Sequence, residues 1–323
     1  MRPIGGLFFG YIGDRYGRKK SLSYSVLAIT IATFLIGCLP THQEVGIIAP
    51  VLLTICRLLQ GFSVSGEEGG AAVYLAEMVG EKQVAYAGSL VLGSAYFGVL
   101  LGSATCLALS FAFSDAEVIA FAWRVPFFLS VLLGIPSLIM RRNLIESSAF
   151  EQKNSATNPV TELFKTAPLS VVLDTIMVAS LAIPIYIFTI FIPSYLSLSL
   201  QMQPMVAQSI SVISLIFLSF GVPVLGKAAD AYGIKKVCFI GCALNVVLGY
   251  PIFWLISSGK YELVFVGILL LGIALLFIAG PMFALLIEKY KSNVRYTAVS
   301  FVFNTSMSIF GSLTPMVARS EER

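Results

Sequence analysis

The feature that most constrains this chain is a succession of apolar stretches, each about 20 residues long, set between short charged links. A helix rises 1.5 Å per residue, so about 20 apolar residues cross the roughly 30 Å hydrocarbon layer of a bilayer. Stretches of this kind run near 21–39, 46–66, 86–113, 119–139, 169–193, 206–226, 237–256, 262–286 and 297–318. Residues 1–13 are apolar too. As a helix they would extend only about 20 Å, which reads as the second half of a span. Of the 323 residues 57% are hydrophobic and 12% charged, against about 25% charged in soluble domains. That leaves too little polar surface for a water-soluble fold, so the expectation is an all-α integral membrane protein.

The links alternate in character. Those at 14–20, 76–85, 140–168, 227–236 and 287–296 hold four, one, four, three and three of the 21 Lys and Arg residues, whereas 40–45, 114–118, 194–205 and 257–261 hold only Lys260. Positive residues favour the cytoplasmic side, so the first set is expected there, in a bacterial inner membrane. The net charge of +4 is scattered over short loops and forms no continuous patch, which argues against nucleic-acid binding. The five cysteines lie in or at the ends of apolar segments, and the single histidine, His42, has no metal-ligand spacing to them. They read as packing residues. The glycine-rich run Gly66 to Gly70 has no following Lys-Ser/Thr and is not a phosphate loop. No enzyme triad, metal site or cofactor motif is visible, so an enzyme is not expected.

One link occurs twice. Gly10-Tyr11-Ile12-Gly13-Asp14-Arg15-Tyr16-Gly17-Arg18-Lys19-Lys20 returns 216 positions later as Gly226-Lys227-Ala228-Ala229-Asp230-Ala231-Tyr232-Gly233-Ile234-Lys235-Lys236. The repetition predicts two related helical bundles, 1–139 and 169–323, joined by a cytoplasmic linker over 140–168. This is the expected layout of a secondary transporter with parallel halves.

The turn Gly10 to Lys20 resembles the signature loop between the second and third helices of the major facilitator superfamily. Its copy falls where that family has its loop between helices eight and nine. Arg57-Leu58-Leu59-Gln60-Gly61-Phe62-Ser63-Val64-Ser65-Gly66-Glu67, followed by Gly69-Gly70-Ala71, resembles helix four of the metabolite:proton symporters, the group of the proline/betaine and di- or tricarboxylate carriers. Trp123-Arg124-Val125-Pro126-Phe127, Arg141 to Glu146, Tyr186 with Pro193-Ser194-Tyr195-Leu196, and Arg295-Tyr296-Thr297 with Asn304 resemble later parts of the same group. The resemblance implies a major facilitator fold with about ten of twelve helices present, helices one and twelve being absent. Glu68 stands where related sequences usually carry an aromatic residue.

An ionisable side chain within the bilayer costs a few kcal/mol, so it is kept for a reason. On a continuous helix Glu68 would lie 20° from Arg57 and Glu67 about 80° away, with Gln60 on the same polar stripe. One reading faces this stripe to a substrate cavity. Arg57 then meets a substrate carboxylate, and Glu67 or Glu68 carries the coupling proton, since desolvation favours the neutral form of a buried carboxyl. The other reading has these residues pair with neighbouring helices and fix packing. Tyr186 and Asn304 carry polar handles in apolar segments, a pattern commoner in packing residues than in the substrate contacts they are candidates for, and Asp174 reads as interfacial.

Asp14, Arg15, Arg18 and Lys19 with Gly10, Gly13 and Gly17 suggest a conformational latch, in which Asp14 meets the N-terminus of a neighbouring helix and a basic residue from it. Gly226, Asp230 and Gly233 would form a weaker twin. The function expected is proton-coupled symport of a small zwitterion or organic acid by alternating access, with H+ as the coupling ion. The alternative is a truncated, non-transporting membrane protein or split-gene remnant whose missing helices a partner chain supplies.

Overall fold

The computed structural model describes residues 1–147, 150 and 158–320; residues 148, 149 and 151–157 of the expected linker and the tail 321–323 lie outside the described residues. Among the described residues all regular structure is helical. The chain begins α1 (Arg2–Tyr16), α2 (Arg18–Gly37), α3 (His42–Val45), α4 (Ile48–Val64), α5 (Glu68–Val79), α6 (Val84–Ala112), α7 (Asp115–Ala120) and α8 (Val125–Arg142). It continues α9 (Pro159–Thr166), α10 (Pro168–Tyr186), α11 (Ile192–Leu198), α12 (Pro204–Tyr232), α13 (Ile234–Ser257), α14 (Tyr261–Lys289), α15 (Arg295–Ser306) and α16 (Ser312–Ser320). Wide π-turns at Ile187–Phe191 and Met307–Gly311 join α10 to α11 and α15 to α16.

Among the described residues, eight helical runs are long and apolar enough to cross a membrane: Arg18–Gly37, Ile48–Val79, Glu81–Ala112, Ala122–Arg142, Pro168–Leu198, Ser209–Tyr232, Ile234–Ser257 and Tyr261–Lys289. They match eight of the nine expected spans. The ninth, 297–318, is helical as well, but Thr297, Ser300, Asn304, Thr305, Ser306 and Ser308 make it more polar than the others.

The span expected at 46–66 differs in kind. The helix breaks at Ser65–Glu67 and restarts as α5. Ser63 and Ser65 turn their hydroxyls back onto the carbonyls of Leu59 and Phe62, at 2.7 and 2.6 Å, which competes with the helical ladder. A Cβ on Gly66 would sit 2.6 Å from the Phe9 ring, so only glycine lets α1 approach the break.

The repeated turn is one device used twice. Gly17 (φ 113°, ψ 147°) separates α1 from α2, and Gly233 (φ 106°, ψ 122°) separates α12 from α13. That backbone region is essentially restricted to glycine, and it lets two helices meet with no intervening loop.

The chain divides into two compact units. One comprises Met1–Tyr74, Leu101–Thr166 and Lys291–Asn304; the other comprises Leu75–Leu100, Ala167–Tyr290 and Thr305–Arg323. In the first, α2 packs along α8: a Cβ on Gly37 would lie 3.0 Å from Phe127 and Phe128, and the Phe34 and Phe128 rings meet at a tilt with centroids 5.6 Å apart. In the second, the deeply buried α14 is the core. Gly241 and Gly267 let α13 and α14 approach so closely that added Cβ atoms would meet Ile278 and Ile256 at 2.7 and 2.9 Å. Small residues at such crossings replace the hydrophobic drive that lipid removes.

Candidate functional site: an acidic break and two helix-end latches

The first latch is built from the end of α1. Asp14 is 1% exposed. Its Oδ2 accepts the Thr297 N–H at 2.8 Å and the Thr297 hydroxyl at 2.7 Å; Oδ1 accepts the Tyr296 N–H at 3.4 Å. These are the open amides that begin α15, where the helix dipole favours an anion. The buried Arg18 guanidinium donates to Asp14 Oδ1 at 2.6 Å, to Gly13 O at 2.8 Å and to Ser292 O at 2.9 Å. A buried ion pair is tolerable only with such further partners. Gly10 and Gly13 complete the approach, since Cβ atoms there would lie 2.5 Å from Thr297 Cα and 2.6 Å from the Tyr296 ring. Asp14 therefore caps a neighbouring helix and pairs with a cation, Arg18, from the following helix α2. Arg15 stays exposed against Tyr11, with 5.8 Å from guanidinium to ring centroid. Lys19 takes part through its backbone N–H, which donates to Glu146 at 3.4 Å.

In the second copy Asp230 accepts the N–H groups of Ala85 and Tyr86, at 2.9 and 2.8 Å, at the start of α6. A Cβ on Gly226 would overlap Ser89 on the same helix. Ala231 and Ile234 stand in place of Arg15 and Arg18.

The expected polar stripe of Arg57, Gln60, Glu67 and Glu68 is not one surface, because the break at 65–67 cancels the helical phase that related them. Arg57 is exposed and donates to Gln60 at 3.2 Å; Gln60 donates to Thr33 of α2 at 2.7 Å. Glu67 turns toward α2 and α8. Its Oε1 accepts Ser25 Oγ at 2.7 Å and Arg141 Nη1 at 3.0 Å, and Oε2 accepts Arg141 Nη2 at 2.6 Å, a two-pronged clamp of the strong charge-assisted kind. Glu68 points the other way and accepts Arg2 Nη2 at 2.8 Å. Arg2 also donates from Nε to Asn304 Oδ1 at 2.9 Å. Asn304 Nδ2 donates to the carbonyls of Ser65 and Ser300, at 2.9 and 2.8 Å, and the Tyr296 hydroxyl donates to Gly66 O at 2.9 Å. Side chains of α15 thus satisfy two carbonyls at the break, as buried backbone requires.

Three of these partners escaped the sequence reading. Arg2 is a single cation at a helix start with no local signal, and Arg141, beside Arg142 at the end of α8, shows only as a basic motif residue. Tyr296 shows only as a motif residue. Ser-Gly-Glu-Glu-Gly-Gly after Val64 was the one readable sign of the break.

Elsewhere, Tyr186 packs on the π-turn: a Cβ on Gly311 would lie 2.6 Å from its ring. Asp174, expected at an interface, is buried. It holds Lys289 Nζ at 2.6 Å and accepts the Tyr290 hydroxyl at 2.7 Å. Burial first, then the bond to Asp174, pushes the Tyr290 phenol well above its ordinary range. A cavity of about 490 Å³ lies among Phe191, Tyr195, Tyr250, Phe253, Trp254, Ser257 and Ala318. It is aromatic and without a carboxylate or a cation, unlike the acidic break.

The sequence model of the Major Facilitator Superfamily matches residues 3–315. The chain belongs to the major facilitator superfamily. Members of that family are membrane transporters, not enzymes. This facilitator is 33% identical to the proline/betaine transporter of Escherichia coli K12 over 98% of its own length and 66% of the relative's. It is 34% identical to a putative proline/betaine transporter of Staphylococcus aureus MSSA476, over 98% of its own length and 69% of that protein. The chain thus spans about two thirds of the length of these relatives. Its fold matches the MFS proton:xylose symporter XylE with a TM-score of 0.77 at 17% identity, covering 99% of this chain and 77% of that one. It also matches the human organic anion transporter MFSD10, with a TM-score of 0.71 at 16% identity and coverage of 99% and 75%.

Proposed function

We propose that this facilitator is a proton-coupled carrier that moves a small zwitterion or organic acid by alternating access across a bacterial inner membrane. The observation that carries the reading is the repeated latch. Asp14 and Asp230 occupy equivalent turns, and each closes the open amides of a helix start. A bond between an aspartate and a helix end is strong when aligned and lost on a small rotation, which suits an element that must hold one state and release in another. The names of the relatives support proline- or betaine-like solutes, and the acidic residues at the break support H+ as the coupling ion. The alternation of basic and non-basic links supports a cytoplasmic location for both repeated turns.

The test is uptake of labelled proline and glycine betaine by cells lacking their own carriers and expressing this chain, with and without a protonophore. Protonophore-sensitive uptake above the vector control is expected. Full membrane insertion with no uptake of either solute would overturn the reading.

A further inference from the structure

We propose that the Arg2 guanidinium is the carboxylate-binding group of this carrier, and that Glu68 occupies it until a proton removes the glutamate's charge. This rests on the carrier reading above and names its binding group and its coupling step.

The two acids at the break are held unequally. Glu67 is clamped by both terminal nitrogens of Arg141 and by Ser25. Glu68 has, among the described residues, one hydrogen-bonding partner, Arg2, and each side chain of that pair is a quarter exposed. Arg2 lies 14 residues up α1 from Tyr16, about 21 Å from the basic end of the helix, well inside a hydrocarbon layer of roughly 30 Å. A charge at that depth is costly and marks a solute or ion path.

The guanidinium is also pre-oriented. Asn304 commits both amide hydrogens to backbone carbonyls, so only its Oδ1 is left to receive Arg2 Nε. Asn304 is a positioning residue, with no hydrogen left to donate to a ligand. Arg2 Nη1 makes no hydrogen bond among the described residues, and Nη2 is held by Glu68 alone. Nη1 and Nη2 form the edge that grips a carboxylate with two parallel bonds. Ser300, one turn before Asn304, adds a buried hydroxyl with no partner among the described residues. A Cβ on Gly69, beside Glu68, would lie 2.8 Å from that hydroxyl.

The charges balance with one proton per solute. Paired, Arg2 and Glu68 sum to zero. A proton from water converts the Glu68 carboxylate to a carboxylic acid and leaves the site at +1. An incoming carboxylate returns it to zero. When the solute leaves, the proton leaves Glu68 for water on the same side and the pair re-forms. An unprotonated Glu68 both occupies the fork and repels the anion, so solute does not bind without a proton. Among the described residues the charged group facing Glu68 is Arg2 from α1; Glu67, next in the chain, turns away to Arg141 of α8 and the uncharged Ser25 of α2, and the Tyr296 hydroxyl of α15 is committed to Gly66 O.

The experiment measures binding of labelled glycine betaine, L-proline and choline to the purified full chain in detergent, from acid to neutral pH. Proton uptake is read from the dependence of binding heat on buffer. Choline carries the same trimethylammonium cation as glycine betaine but no carboxylate. Wild type should prefer glycine betaine to choline, bind it more tightly in acid, and take up one proton per solute. Glu68→Gln should bind roughly tenfold more tightly at neutral pH, with no pH dependence and no proton uptake. Arg2→Gln should bind glycine betaine no better than choline. If that variant fails to fold, Arg2→Lys keeps the charge without the fork and should bind glycine betaine roughly tenfold more weakly than wild type.

Proton uptake persisting in Glu68→Gln overturns the coupling step. Unchanged affinity in Arg2→Gln, or in Arg2→Lys where that variant is used, overturns the binding group. The carrier reading survives either result, because wild type still binds. Wild type that binds neither proline nor glycine betaine overturns the inference and the carrier reading together.

Discussion

Asp14 accepts both the backbone N–H and the side-chain hydroxyl of Thr297 on a single carboxylate oxygen, at 2.8 and 2.7 Å, while its other oxygen holds Arg18. One residue thus joins the end of α1, the start of α2 and the first turn of α15. Asp14→Asn keeps the size and one acceptor but leaves the buried Arg18 without its counter-charge. Removing one partner of a buried pair costs about 3–5 kcal/mol. A drop of that order in unfolding free energy in detergent is expected, with uptake reduced in cells. Unchanged stability would show that the latch bears no load.

Gly17 and Gly233 share the same glycine-only backbone but not the same surroundings. A Cβ at Gly17 would overlap the Glu146 carboxylate, whereas at Gly233 the nearest neighbour is Lys236 Cβ at 3.9 Å. The backbone term costs about 1–3 kcal/mol at either position. Gly17→Ala should therefore lower the melting temperature clearly more than Gly233→Ala. Equal shifts would mean that Glu146 moves aside freely.

Glu67 and Arg141 form a two-pronged pair between α8 and the break. A double-mutant cycle with Glu67→Gln and Arg141→Gln should return a coupling energy in the upper part of the roughly 0.5–3 kcal/mol range for residues in contact. Each side chain in the pair is 19% exposed, so screening by water is incomplete. A coupling near zero would reassign Arg141 to a plain positive anchor at the end of α8.

Tyr290 supplies a pH dependence. Burial raises its phenol above the ordinary tyrosine value, and the bond to Asp174 adds to this. A group whose folded pKa is raised contributes stability that is fully present below its unfolded pKa, about 10, and is lost as pH rises beyond it. Stability should fall in alkali from about pH 10 upward, and Tyr290→Phe should flatten that part of the curve. The same variant leaves Asp174 Oδ2 without its donor and should cost about 1–3 kcal/mol at neutral pH. An alkaline limb identical to wild type would rule the assignment out.

Much of this protein was legible one segment at a time. Spans appear in the sequence because crossing a bilayer demands length and apolarity in each segment separately. The repeated turns appear because Gly17 and Gly233 meet a local backbone demand that only glycine satisfies. Asp14 was readable as a helix-end cap for the same reason, since the glycines beside it announce a close approach.

What only the tertiary structure decided is which charge answers which. Helical phase puts Arg57 on one polar stripe with the acids, but the break at 65–67 cancels that phase. It sends Glu67 to Arg141 and Glu68 to Arg2, partners 74 and 66 positions away in the chain. Spacing along one helix carries no information about such pairs, because a buried charge is neutralised by whatever the packed neighbours bring within about 3 Å. The sequence by itself determined the membrane-spanning helices and the two glycine turns; the packing of α1, α8 and α15 around the break decided which acid is locked and which is held by a single arginine.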